Sequence, residues 1–169
     1  ACATGPATTP HDFQPQDLDA LLQSGEYVQK VDSFVAILDA SGTMYCNYKA
    51  HRKIDLSKGV VSRMNQTIPD IKLKAGLRSL GQNYSTGTRL YYGITDYSKG
   101  GLEAAVNPIT GGGMTPLATA IAAAGGDLKA TSGKKALIIV SDGLETDSSS
   151  VASAKNLKST FGNDLCIYT

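Results

Sequence analysis

Two stretches of the chain are apolar without interruption, Phe34 to Leu38 and Ala136 to Val140. Neither alternates with polar residues, so each predicts a strand buried on both faces. Elsewhere the apolar positions recur at helical spacing. In "KIDLSKGVVSRMNQTIPD", Ile54, Val61, Met64 and Ile68 share one helical face, and Pro69 stops the helix. In "TGGGMTPLATAIAAAGGDLKA", Leu117, Ile121, Ala124 and Leu128 do the same. "SSSVASAKNLKSTFG" turns Val151, Ala154, Leu157 and Phe161 inward, between a serine N-cap and Gly162. A short helix is expected in "LDALLQSGEYVQ" (18–29), through Leu18, Leu21, Leu22 and Val28, and a weaker one in "SKGGLEAAVNPI". "KAGLRSLG" and "TRLYYGITDY" predict two strands joined by the hairpin connection "GQNYSTG", and "DLCIYT" predicts a last strand.

Buried strands alternating with amphipathic helices predict an α/β domain of three layers. The sheet is expected to be doubly wound and mostly parallel, with the hairpin supplying one antiparallel edge strand. Residues 1–16 carry turn formers and prolines without periodicity and read as a flexible leader or linker; 17–169 read as the domain. The final predicted strand runs to Thr169, so a further C-terminal strand and helix are expected beyond it.

Composition narrows the partners. With 169 residues, 41% hydrophobic and 18% charged, the chain suits one folded domain. A net charge of +1 with no basic run gives nucleic acid or an anionic membrane surface no electrostatic support. The three cysteines, Cys2, Cys46 and Cys166, match no zinc spacing. Cys2, followed by "ATGPATTP", resembles the junction of a bacterial lipoprotein, although Ala1 precedes it. Membrane attachment is therefore expected only through a lipid on Cys2.

The candidate chemistry lies at the strand ends. Ligands of open α/β sheets bind beyond the carboxyl ends of the strands, where strand order reverses. Two strands finish in aspartate, Asp39 and Asp142, and the loop after Asp39 offers Ser41 and Thr43 around Gly42. Taken singly, each aspartate is ordinary loop punctuation, Ser41 is an ordinary turn hydroxyl, and Thr115-Pro116 is a helix cap. Together, Asp39, Ser41, Thr43, Thr115 and Asp142 would form a set of hard oxygens at one sheet edge, with no His, Cys or Lys among them. That excludes a nucleophile–base pair and a zinc site and suits Mg2+, with Mn2+ or Ca2+ as alternatives.

At these residues the chain resembles the von Willebrand factor A (vWA) domain and its metal-ion-dependent adhesion site. Asp39-Ala40-Ser41-Gly42-Thr43 matches the Asp-x-Ser-x-Ser pattern, with Thr43 in place of serine. Thr115 in "GGGMTPLATAI" matches the threonine loop, with Met114 intervening, and Asp142 in "VSDGLE" matches the last motif. The resemblance covers residues 31–169 and implies a binding module rather than an enzyme. The five residues would surround the ion, Asp142 through water, leaving a position for the Asp or Glu carboxylate of a protein partner. "VSRMNQTIPD" and "DLCIYT" also look like bacterial envelope proteins that join this domain to an OmpA-like domain, implying a periplasmic or outer-membrane-anchored location. Self-association is a further expectation.

A nucleotide-binding reading of "TGGGMTP" lacks the Gly-Lys-Ser/Thr of a phosphate loop and the spacing of a dinucleotide fingerprint, and two further rival readings stand beside it. "ILDASGTM" is similar to the first motif of haloacid-dehalogenase-type phosphatases, with Asp39 as nucleophile, but Ser41 stands where the acid–base aspartate is required. The other is a structural vWA domain with an empty site, binding through tyrosines such as Tyr45, Tyr48, Tyr91 and Tyr92.

Overall fold

The computed structural model describes residues 13–82, 86–147 and 149–169. Most of the expected leader, including Cys2, and the tip of the "GQNYSTG" connection lie outside the described residues. A short helix α1 (Leu18–Gln23) is followed by β1 (Ser33–Ala40), a 3-10 turn (Gly42–Tyr45), and a small hairpin, β2 (Asn47–Tyr48) with β3 (His51–Arg52). Next come α2 (Lys53–Thr67), β4 (Lys74–Gly81), β5 (Thr88–Asp96), α3 (Lys99–Val106) and α4 (Leu117–Lys129). β6 (Lys135–Val140), α5 (Ser150–Phe161) and β7 (Leu165–Tyr168) complete the order.

The main sheet runs β5-β4-β1-β6-β7. β1 pairs in parallel with β4 and β6, β7 pairs in parallel with β6, and β5 is the single antiparallel strand at the edge. This is the predicted mixed α/β architecture. All eight residues of β1 are buried. Phe34, Ala36, Leu38 and Ala40 face a core shared with Ile54 and Val61 of α2 and Leu102 and Val106 of α3. Val35 and Ile37 face the opposite core, with Leu117, Ile121 and Leu128 of α4 and Leu157 of α5. A strand covered on both sides has no wet face to carry polar residues, which is why the run from Phe34 to Leu38 shows no alternation.

Two local expectations need correction, and the face expected of α2 gains two members. The first helix stops at Gln23 rather than continuing to residue 29, because Gly25 takes φ 77° and the amides of Gly25 and Tyr27 fold back onto Leu22 and Leu21. Val28 is consequently exposed. Val151 is 60% exposed, at the rim of a groove shared with Leu117, Ile139 and Ala154, and α5 reaches the core through Leu157 instead. In α2 the buried stripe includes two polar residues, Ser57 and Asn65. The Ser57 hydroxyl donates to the carbonyl of Ile54, and the Asn65 amide donates to Lys99 O and Glu103, so neither is buried unsatisfied.

Cys46 is disulfide-bonded, and Cys166 is free and exposed. Among the described residues no helix is long and apolar enough to cross a membrane.

Candidate functional site

Strand order reverses around β1: the chain leaves it for β4 and β5 on one side, then returns to β6 on the other. The crevice between the carboxyl ends of β1 and β6 is therefore the switch point of the sheet. The register Leu38↔Val140 sets Asp39 beside Ser141 and brings Asp142 to the same edge.

Asp39 is fully buried. One carboxylate oxygen accepts the Ser41 amide at 2.8 Å, and the other accepts the Ser141 hydroxyl at 2.6 Å. Among the described residues it makes no ion pair. The Ser41 hydroxyl, also fully buried, lies 3.1 Å from that of Thr43. Thr43 in turn interacts with Asp142. A continuous polar relay thus joins Asp39, Ser41, Thr43 and Asp142.

Asp142 is held by a second set of contacts. Lys53 Nζ, at the start of α2, lies 2.9 Å from one carboxylate oxygen, and the Leu144 amide donates to the other at 3.3 Å. Burial works to raise the Asp142 pKa. The Lys53 and Leu144 hydrogen bonds, the charge of Lys53 and the Thr43 hydroxyl outweigh it and hold the group below its ordinary value.

Thr115 enters from the loop before α4. That loop docks on the end of β1 through its backbone: the Gly42 amide donates to Gly113 O at 2.9 Å, and the Gly112 amide to Ala40 O at 2.7 Å. Gly81, at φ 97°, lies beneath the junction; a Cβ there would sit 2.6 Å from Ala40 O and 2.7 Å from Gly112 O. Thr115 itself is buried, and its backbone is bound on both sides by Thr146, whose hydroxyl accepts the Thr115 amide and whose amide donates to Thr115 O. The plain alternative for Thr115, a cap on α4, does not form: Pro116 occupies the cap position and makes no side-chain cap bond. Asp147 caps the helix from outside, accepting the amides of Ala118 and Thr119 and the Thr119 hydroxyl. Thr115 is relieved of that task.

The donor chemistry fits a hard divalent cation. A buried carboxylate with two neutral donors and no cation beside it lacks the compensating charge that burial ordinarily demands. Among the described residues no group of three or more His, Cys, Asp or Glu is placed to hold a metal. An ion here would rest on two carboxylates and neutral hydroxyls, which suits Mg2+, an ion that keeps several of its waters.

Lys53, Ser141 and Asp147 were not anticipated from the sequence. Ser141 was within reach of the strand argument, since it precedes Asp142 and must neighbour Asp39 once β1 and β6 pair. Lys53, the first residue of α2, and Asp147, in the loop between β6 and α5, carry no local signal. Lys134 and Lys135, at the start of β6, lie at the opposite end of that strand from Asp142, and Lys134 pairs with Asp164. A strand of that length puts them roughly 15–20 Å from the Asp39 crevice.

No family model matches the chain, and no curated protein matches it in sequence. The fold does match solved structures. A von Willebrand factor type A protein from Catenulispora acidiphila superposes with a TM-score of 0.64 at 19% identity, over 82% of this chain and 32% of that one. BatB from Bacteroides thetaiotaomicron gives 0.66 at 18% identity, over 81% and 64%. The pilus adhesin SpaC from Lactobacillus rhamnosus GG gives 0.59 at 18% identity, over 70% and 16%. The chain has the vWA-like α/β fold, and it spans less than two thirds of the length of each of these proteins.

Proposed function

We propose that this is a non-catalytic, divalent-metal-dependent protein-binding domain. Asp39, Ser41, Thr43, Thr115 and Asp142 would hold Mg2+, or Mn2+ or Ca2+, with Asp142 acting through water. Bound there, the ion supplies an electrophilic position for an Asp or Glu carboxylate of a partner protein. The observation that carries this reading is Asp39: fully buried at the switch point of the sheet, without an ion pair among the described residues, and bound to the amide of Ser41, whose hydroxyl meets that of Thr43 beside a second carboxylate. A phosphatase would need an acid–base aspartate where Ser41 stands, and a serine hydroxyl cannot do that proton work.

Solved neighbours that are adhesins or pilins, such as SpaC, support an adhesion or assembly role outside the cytoplasm. The disulfide at Cys46 points the same way, because such bonds persist in oxidising compartments. Calorimetric titration of Mg2+ and Mn2+ into the native protein and Asp39→Ala tests the proposal. Binding heat in the native protein and none in the variant is expected; equal heats overturn it.

A further inference from the structure

Lys53 is the one cation that reaches the candidate site among the described residues, and nothing in the metal-site pattern calls for it. It is the first residue of α2 and is anchored by its own amide, which donates to Cys46 O at 3.0 Å. From there its side chain reaches across to Asp142, 89 positions later in the chain, at 2.9 Å. The pair is partly sheltered, with the Lys53 side chain 29% and that of Asp142 11% exposed. The neighbouring Arg52 is committed elsewhere, to Asp55.

We propose that Lys53 is a tethered competitor of the divalent ion and sets how tightly this site binds metal. The inference rests on the metal reading above and adds to it a residue outside the oxygen set. The physical reason is charge. A divalent ion held by Asp39 and Asp142, directly or through water, must either displace the ammonium from Asp142 or accept a like charge a few ångströms away. Displacement is feasible because the four-carbon stem is flexible and already reaches solvent at 29% exposure. The ammonium neutralises Asp142 from within the chain, whereas Asp39 makes no ion pair among the described residues. Metal uptake is then an exchange of one cation for another, with weaker net affinity than the same oxygens would show alone.

The test is Mg2+ titration of the full chain by calorimetry, for the native protein, Lys53→Gln and Lys53→Arg, with thermal unfolding of each in chelator and in excess Mg2+. Lys53→Gln is expected to bind Mg2+ about tenfold more tightly, the size of a single lost like-charge contact in a partly sheltered site. Lys53→Arg keeps the charge and should stay near the native affinity. In chelator, Lys53→Gln should melt below the native protein, and excess Mg2+ should close that gap. Recovery of a folded state on adding Mg2+ would support the proposal equally well. Native-like or weaker binding by Lys53→Gln, with the native protein binding measurably, overturns the competitor role and leaves the metal reading intact. Binding by Lys53→Gln alone supports the competitor role and contradicts metal use by the native domain. No binding by either overturns both.

Discussion

The Ser141 hydroxyl donates a 2.6 Å hydrogen bond to the buried carboxylate of Asp39, tying the ends of two strands that lie 102 positions apart in the chain. With the Ser41 amide on the other oxygen, Asp39 is oriented from both sides before any ligand arrives. Preorganisation of this kind costs stability, because a charge is held away from water without a cation. Asp39→Asn keeps the shape: its oxygen can accept the Ser41 amide and its NH2 can donate to Ser141, whose hydroxyl also accepts. In chelator the variant should therefore be more stable than the native protein to urea, by about 1 kcal/mol or more. Added Mg2+ should stabilise only the native protein.

Asp147 carries the N-terminus of α4, and with it the loop that holds Thr115. Asp147→Ala removes the acceptor for two amides and the Thr119 hydroxyl. A loss of about 0.5–2 kcal/mol is expected by chemical denaturation. Mg2+ affinity should fall as well, whereas a capping loss remote from the site would leave it unchanged.

Gly81 lets the end of β1 and the 111–115 loop approach each other. Its positive φ and the lack of space beside Ala40 O and Gly112 O both disfavour a side chain. Gly81→Ala should cost about 2 kcal/mol, since strain and crowding add at one position. Metal binding should weaken with it.

Tyr97 gives the fold an alkaline limit. Its ring packs on Phe34, and its hydroxyl donates to the side chain and backbone oxygens of Asn65. Burial, with a smaller contribution from Tyr92, pushes the phenol from 10.0 up to about 12. A raised folded-state pKa means the neutral phenol is favoured in the native state. Its contribution is fully present below about pH 10 and is lost as pH rises through about 12. Tyr97→Phe lacks this titration, so guanidinium unfolding at pH 9 and pH 11 should show the native protein losing stability relative to the variant.

Much of the framework was legible because the central strands leave little ambiguity. A run such as Phe34 to Leu38, with no polar position, has few homes other than a sheet covered on both faces, and the aspartates ending β1 and β6 then fall at one edge. What could not be read locally were contacts between distant segments. Thr115-Pro116 looks like a helix cap until Asp147, 32 positions on from Thr115, takes that role. Ser57 and Asn65 break the apolar stripe of α2, yet they are buried because Ile54, Lys99 and Glu103 satisfy them. The Lys53–Asp142 pair depends wholly on how α2 is set against β6.

The central claim is that oxygens from separate loops share one divalent ion. Anomalous diffraction from crystals of the native protein grown with Mn2+ tests it most directly. The account predicts a single strong peak between Asp39, Ser41 and Thr43, within reach of Thr115 and of Asp142 through a bridging water. A crevice without anomalous signal at saturating Mn2+, or a peak bound only to surface carboxylates elsewhere, would contradict it.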